Sequence, residues 1–252
     1  MGYGNQLSIK VFADGADFDS IIKLAGSPII KGFTTNPTLA RNAGVTDYEA
    51  FGRKVLAAVP DRPVSLEVLA DDFPEMLRQA RTIATWGKNV NVKIPVTNTK
   101  REFSGEVIRQ LSADGVVVNV TAIMTVEQVR RVAEALVPET PAIVSVFAGR
   151  IADTGVDPMP LMAEALKVLR ERPKAELLWA SPRELLNVFQ ADAIGCHIIT
   201  ATKDILAKLS LVGKDLDDYS LETVQMFRRD ATAAGFEINN HVGEPRARRA
   251  VG

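Results

Sequence analysis

From residue 8 to about residue 210, short β-rich runs alternate with longer stretches whose apolar residues recur at helical spacing. The pattern predicts strands at Ser8–Asp14, Ile29–Asn36, Pro63–Leu69, Asn89–Pro95, Val116–Thr121, Ala142–Phe147, Glu176–Ser181 and Gly195–Thr200. Amphipathic segments lie between them. Tyr48–Val59 carries Tyr48, Phe51, Val55 and Val59 on one stripe, and Thr125–Val137 turns Val129, Val132, Ala133 and Leu136 one way. Thr46-Asp47-Tyr48-Glu49, Thr99-Lys100-Arg101-Glu102 and Thr125-Val126-Glu127-Gln128 fit the capping box that satisfies orphan N–H groups where a helix begins. Eight strand–helix alternations imply a parallel sheet, and eight strands close a barrel, so the expected fold is α/β, a (β/α)8 TIM barrel. An open doubly wound sheet competes, but no G-x-G-x-x-G follows the first strand. One additional C-terminal helix is predicted at about 220–234, stopped by Gly235, with a lid or subunit contact as its role. With no linker, repeat or low-complexity stretch, the chain reads as a single domain, 1–252, ending in a flexible tail at 239–252.

Composition narrows the function classes. The chain has 252 residues, 46% hydrophobic and 24% charged, with net charge −1, so it has no electrostatic footprint for nucleic acid or membrane surfaces. The one dense basic run, Arg246, Arg248 and Arg249, reads as a solvated tail. No uncharged apolar run approaches the ~18 residues of a membrane span. No apolar signal core precedes Asp14, and Gln6 stands where an acylation signal after Met1-Gly2 needs Ser or Thr. A single cysteine, Cys196, forbids an internal disulfide and suits a reducing, cytoplasmic setting. Asn119-Val120-Thr121 matches a glycosylation acceptor but sits in an apolar strand, which dismisses it. Cys196, His197 and His241 have no metal-ligand spacing and read as structural or exposed; no metal and no cofactor are expected.

Strand alternation then sorts side chains to the two faces of the sheet. In Asn89-Val90-Asn91-Val92-Lys93-Ile94 the valines and Ile94 belong against helices, which turns Asn91 and Lys93 inward. The same parity turns Asp14, Thr34 with Asn36, Ser65 with Glu67, Asn119 with Thr121, Ser145 with Phe147, and Ser181 inward. Nearly all lie at the C-terminal ends of their strands, the face where barrel active sites form. A buried lysine among carboxylates is either a structural ion pair or a working amine. Desolvation favours the neutral amine, which attacks carbonyls, and the resulting iminium withdraws electrons from the neighbouring carbon–carbon bond. Such chemistry also needs acid/base groups, roles that Glu67 and Asp14 can divide.

Phe12-Ala13-Asp14, Gly32-Phe33-Thr34-Thr35-Asn36-Pro37-Thr38, Val64-Ser65-Leu66-Glu67-Val68, Val92-Lys93-Ile94-Pro95, Asn119-Val120-Thr121, Phe147-Ala148-Gly149-Arg150-Ile151 and Ala180-Ser181-Pro182-Arg183 follow one another along the chain. In that order they resemble the motifs of the transaldolase family, from about residue 8 to 235, and specifically its compact branch, related to fructose-6-phosphate aldolase. The resemblance implies that Lys93 forms the Schiff base, that Glu67 and Thr121 hold a catalytic water, and that Asp14 takes the donor C4 hydroxyl proton. It further implies that Asn36, Asn119 and Ser145 hydrogen-bond the dihydroxyacetone hydroxyls, and that Arg150, Ser181 and Arg183 clamp a sugar phosphate; Thr34, turned inward by strand parity, is expected to bind substrate with them. Relatives that release free dihydroxyacetone resemble one another in carrying Tyr where this chain has Phe147, so Phe147 favours transfer. The compact branch assembles as rings, which implies a homo-oligomer, pentamer or decamer. Gly15-Ala16-Asp17, Pro182 and Trp179 depart from the family's usual wording, and Trp179 is expected to reshape the pocket mouth.

The expected function is therefore transfer of a dihydroxyacetone unit between sugar phosphates, as in pentose phosphate metabolism. Two alternatives compete: an aldolase releasing free dihydroxyacetone, and a non-catalytic sugar-phosphate binding barrel. Some of the same residues also have plain structural readings. Ser181-Pro182-Arg183-Glu184 fits a capping box with proline at the first helical position, and Asn36 before Pro37 fits turn chemistry.

Overall fold

The structure, a computed structural model, describes residues 7–238. Eight parallel strands close a barrel in sequence order: β1 (Lys10–Asp14), β2 (Ile30–Thr34), β3 (Val64–Glu67), β4 (Val90–Pro95), β5 (Val118–Ile123), β6 (Ala142–Val146), β7 (Ala175–Trp179) and β8 (Ile198–Thr202), with β8 pairing β1. The helices are α1 (Phe18–Ala25), α2 (Pro37–Asn42), α3 (Tyr48–Ala58), α4 (Phe73–Ala84), α5 (Gly105–Ala113) and α6 (Val126–Ala135). They continue with α7 (Ala148–Ala152), α8 (Pro158–Leu169), α9 (Leu186–Ala193), α10 (Lys203–Ala207) and α11 (Leu216–Ala233). The expected (β/α)8 TIM barrel with an additional C-terminal helix is therefore the fold. No described helix is long and apolar enough to cross a membrane.

The chain divides into two compact units, one ending at Ser210 and one beginning at Leu211. In the first, the core is double. Val64, Leu66, Val92, Ile94, Val118 and Val120 face outward and join helix residues such as Val55, Met76, Ile108 and Val132 in the main cluster. Inside the barrel a smaller apolar floor forms from Phe12, Ile143, Leu178, Ala180 and Ile198. Gly32 makes that floor possible, because a Cβ there would stand 2.6 Å from the Phe12 ring. Above the floor the inward positions turn polar.

In the second unit, α11 starts one turn earlier than its apolar stripe suggests, because Asp215 accepts from the N–H groups of Asp217 and Asp218. Gly235 follows its C-cap at φ +66°, the left-handed stop read from the sequence. The helix buries none of its residues; Leu216, Leu221, Val224 and Phe227 are all exposed. The tail at 239–252 and the residues before Leu7 lie outside the described residues.

Three of the capping-box expectations are corrected. Thr125 and Gln128 do form a reciprocal box on α6. At α3 the cap is Asp47, whose carboxylate accepts from Ala50 N–H, so Thr46 is one residue too early. Thr99-Lys100-Arg101-Glu102 starts no helix: the Asn98 side chain accepts from the Lys100 and Glu102 N–H groups to form a turn, and α5 begins at Gly105. Ser181 caps no helix either. The Asn187 side chain takes the Arg183 and Glu184 N–H groups, and α9 begins at Leu186.

Candidate active site

A cavity of about 90 Å³ opens at the C-terminal end of the barrel. Asp14, Thr34, Asn36, Lys93, Asn119, Thr121, Ser145, Phe147, Arg150 and Ser181 line it, joined by Leu178, Ala180 and Thr200. These residues come from seven of the eight strands, all but β3, and the turns after them, so the parity of most strands, fixed by their helix-facing Val and Ile, is what brings them together. Glu67 and Arg183 are not among the lining residues: Glu67 sits beside Lys93 across the β3–β4 pair, and Arg183 is held by Asp153 and Ser181.

Lys93 is 6% exposed. Its Nζ lies 3.1 Å from Glu67 Oε2, and it donates to the Thr35 backbone carbonyl at 2.7 Å. Register makes the pair: Glu67 on β3 sits directly beside Lys93 on β4. Burying such a pair adds little stability, since desolvation offsets the attraction, so its placement at the base of a cavity points to chemistry rather than to support of the fold.

Asp14 completes a second cluster. Thr34 Oγ1 donates to Asp14 Oδ1 at 2.7 Å and lies 2.5 Å from Thr200 Oγ1. Burial pushes the Asp14 carboxyl above its ordinary value, a shift opposed by Lys93 and the Thr34 hydroxyl and reinforced by Glu67. A carboxyl of this kind carries no penalty below 3.8, where folded and unfolded chains both hold the proton, and the full penalty above its folded pKa. Asp14→Asn is therefore expected to unfold at higher urea than the parent at pH 7, with the advantage gone near pH 4. A variant no more stable than the parent at pH 7 would contradict this reading.

A third network positions amide and hydroxyl groups. Asn119 Nδ2 donates to Ser65 Oγ at 3.0 Å, and Ser145 Oγ donates to Asn119 Oδ1 at 2.6 Å, which fixes the amide orientation. Asn36 has both of its readings: its Oδ1 accepts from Leu39 N–H to cap α2, and the side chain lines the cavity. Thr121 Oγ1 is buried and has no partner among the described residues. A hydroxyl left this way costs about 1–3 kcal/mol unless a water or substrate meets it. Just beyond it, β5 shifts register and Ala122 takes φ +63°, strain of the sort that collects at working sites.

One side of the cavity is built from two turns held close together. Arg150 on α7 places its guanidinium 5.7 Å from the Phe147 ring centroid. Gly149 N–H donates to the Ala180 carbonyl, and a Cβ on Gly149 would lie 1.5 Å from the Ser181 carbonyl oxygen. Ser181 itself has φ +62°. Arg183 donates to the Ser181 carbonyl and hydroxyl at 3.1 and 3.2 Å, while its Nε donates to Asp153 at 2.8 Å and its Nη2 also bonds that carboxylate. That fork lowers the Asp153 pKa and raises that of Arg183. Arg183 thus props the Ser181 turn, and Arg150 is the guanidinium that lines the cavity.

Two sequence expectations change at β7. Trp179 is fully buried in the outer core, away from the mouth, because Glu176, Leu178 and Ala180 are the inward positions. Ser181 reaches the cavity through its left-handed backbone, not through strand parity. Strand parity and motifs pass over Thr200 and Asp153, and they place Tyr48 only on the apolar stripe of a helix. Thr200 had a usable signal, an isolated polar residue alternating with Ile198 on a strand. Cys196 is inert: burial pushes its thiol up to about 12.

A family model described as Transaldolase/Fructose-6-phosphate aldolase matches residues 11–244. A probable transaldolase of Dehalococcoides mccartyi is 36% identical over 202 residues, 80% of this chain and 90% of that protein. A probable transaldolase of Hyphomonas neptunium is 34% identical over 232 residues, 91% of this chain and 100% of its own. Among solved structures, a putative lyase/mutase from Burkholderia cenocepacia superposes with TM-score 0.56 at 14% identity, covering 93% of this chain and 89% of that one. Dihydrodipicolinate synthase from Rhodopseudomonas palustris gives 0.54 at 17% identity, over 90% and 80%. At such identities these structures share the barrel alone.

Proposed function

The chain belongs to the transaldolase/fructose-6-phosphate aldolase family, and from that premise we propose that it transfers a dihydroxyacetone unit from a ketose phosphate to an aldose phosphate through a Schiff base at Lys93. The observation that carries the proposal is the buried Lys93 amine, in reach of Glu67 at the base of a cavity whose other groups match a small polyol.

In this reading the site residues divide the steps among them. Proton transfer within the Lys93–Glu67 pair frees an amine that adds to the ketose C2 carbonyl. Glu67 then protonates the departing hydroxyl, with a water between it and the unpartnered Thr121 hydroxyl as relay. Asp14 takes the C4 hydroxyl proton, the C3–C4 bond breaks, and its electron pair moves to the iminium nitrogen to give an enamine. The aldose phosphate leaves. An incoming aldose phosphate accepts the enamine carbon and recovers the proton from Asp14, and water releases the new ketose. Asn36, Asn119 and Ser145 hold the donor hydroxyls, while Arg150, with the Ser181 turn that Arg183 props, holds the phosphate.

Phe147 supports transfer over release. It offers the enamine no acidic hydrogen, so the three-carbon unit stays bound until an acceptor arrives. With fructose 6-phosphate alone the protein should release no more glyceraldehyde 3-phosphate than its own active sites, and adding an aldose phosphate should start turnover. Continuous release without acceptor would instead mark an aldolase. Phe147→Tyr is expected to raise acceptor-independent release at least tenfold, the scale of one added general acid. A ring assembly of this chain is also proposed, supported by the bare apolar face of α11 and by the family resemblance.

A further inference from the structure

The pairing between β2 and β3 stops where the chemistry begins. Phe33 N–H donates to the Pro63 carbonyl at 2.9 Å, and Thr35 N–H donates to the Ser65 carbonyl at 3.1 Å. A parallel ladder advances two residues per rung on each strand, so the next rung would run from Glu67 N–H to the Thr35 carbonyl. That rung is replaced at both ends. Glu67 N–H donates to Tyr48 Oη at 2.8 Å, and the Thr35 carbonyl accepts from Lys93 Nζ at 2.7 Å. Strand register between β2 and β3 is accordingly confined to Phe33↔Val64 and Thr34↔Ser65.

Tyr48 reaches this seam from the first residue of α3, a position set by the Asp47 cap. Its ring stands edge-on to Trp86, centroids 6.1 Å apart, which fixes the phenol's direction. Burial raises the phenol's pKa, against the opposing effect of the Glu67 N–H and the neighbouring Thr35 hydroxyl, so the group stays neutral. Every backbone donor buried here needs an acceptor. Without the phenol oxygen, Glu67 N–H is either unpaired or closes onto Thr35, and closing takes from Lys93 the carbonyl that holds its nitrogen.

We infer that Tyr48 is a positioning residue for the Schiff-base pair, its phenol oxygen replacing one strand acceptor so that the Thr35 carbonyl is left for Lys93 and the Glu67 backbone is fixed beside it. The inference rests on reading Lys93 as the imine-forming amine. Tyr48 is not among the residues that line the cavity, so it acts on imine formation and leaves substrate binding alone.

Tyr48→Phe keeps the ring on Trp86 and removes only the hydroxyl. Its kcat should fall about ten- to a hundredfold, the cost of a misplacement of an ångström or less, with KM for fructose 6-phosphate within about threefold of the parent. The rate of borohydride trapping at Lys93 should fall in the same proportion as kcat. Val55→Ala opens a gap on the buried face of the same helix without touching the seam; it should lower the unfolding midpoint while kcat stays at the parent value. A parent protein that traps three-carbon adduct, beside a Tyr48→Phe protein trapping it equally fast, overturns the inference alone. So does a Val55→Ala protein whose kcat falls as far as that of Tyr48→Phe, since the loss would then report helix stability. A parent that traps no adduct overturns the Schiff-base reading and this inference with it.

Discussion

Lys93→Met should lower transfer activity at least about 10⁴-fold, the scale on which loss of a covalent nucleophile is felt. Methionine keeps most of the side-chain volume, so the outer core of Val92 and Ile94 is undisturbed. The change falls on charge. The Lys93 ammonium is one of two influences that hold the Asp14 carboxyl down, the other being the Thr34 hydroxyl, and Glu67 acts the opposite way. With the ammonium gone, one of the two influences that oppose burial at Asp14 is lost, and the folded chain favours the protonated Asp14 carboxyl more strongly. Carboxyls whose folded pKa is raised stabilise the folded state at low pH and lose that contribution as pH rises. The variant should therefore lie closer to the parent in urea stability at pH 5 than at pH 8. Measured activity within a hundredfold of the parent would remove Lys93 from the chemistry.

Gly149→Ala is the second large effect. A methyl group at that position would stand 1.5 Å from the Ser181 carbonyl oxygen, a backbone atom that no rotamer change can move aside. Overpacking of ordinary severity costs about 1–3 kcal/mol, and a clash with main chain belongs at or beyond the upper end of that range. Relief requires α7 to part from the turn after β7, which separates Arg150 from Ser181 and Arg183. If those groups bind phosphate, KM for fructose 6-phosphate should rise about a hundredfold for a displacement of an ångström. Turnover of unphosphorylated fructose should lose far less. Equal losses for both sugars would mean that the turn supports the barrel and not the phosphate.

The barrel was legible because β3, β4 and β5 alternate Val, Leu or Ile with polar residues, so their helix-facing and inward sides separate on paper. The same rule placed Lys93, Asn119 and Thr121 in one cavity. It failed on β7, where Leu177, Leu178, Trp179 and Ala180 are all apolar and all buried: a strand hydrophobic on both faces carries no parity signal. Helix starts were legible only where one side chain decides them. Thr125 does so, whereas the Thr99 pattern lost to the Asn98 turn and the Ser181 pattern to capping by Asn187. Tyr48 and Asp153 lay beyond sequence reasoning for a different reason. Each acts through a contact far along the chain, Tyr48 on Glu67 and Asp153 on Arg183, and each has the composition of an ordinary helix or loop residue.

The imine itself is the most direct test. The protein is mixed with fructose 6-phosphate, reduced with borohydride, digested, and its peptides are weighed. One reduced three-carbon unit should appear on the peptide containing Lys93, and it should be missing from Lys93→Met treated the same way. Active transfer with no adduct on Lys93, or an adduct on any other lysine, would contradict the account.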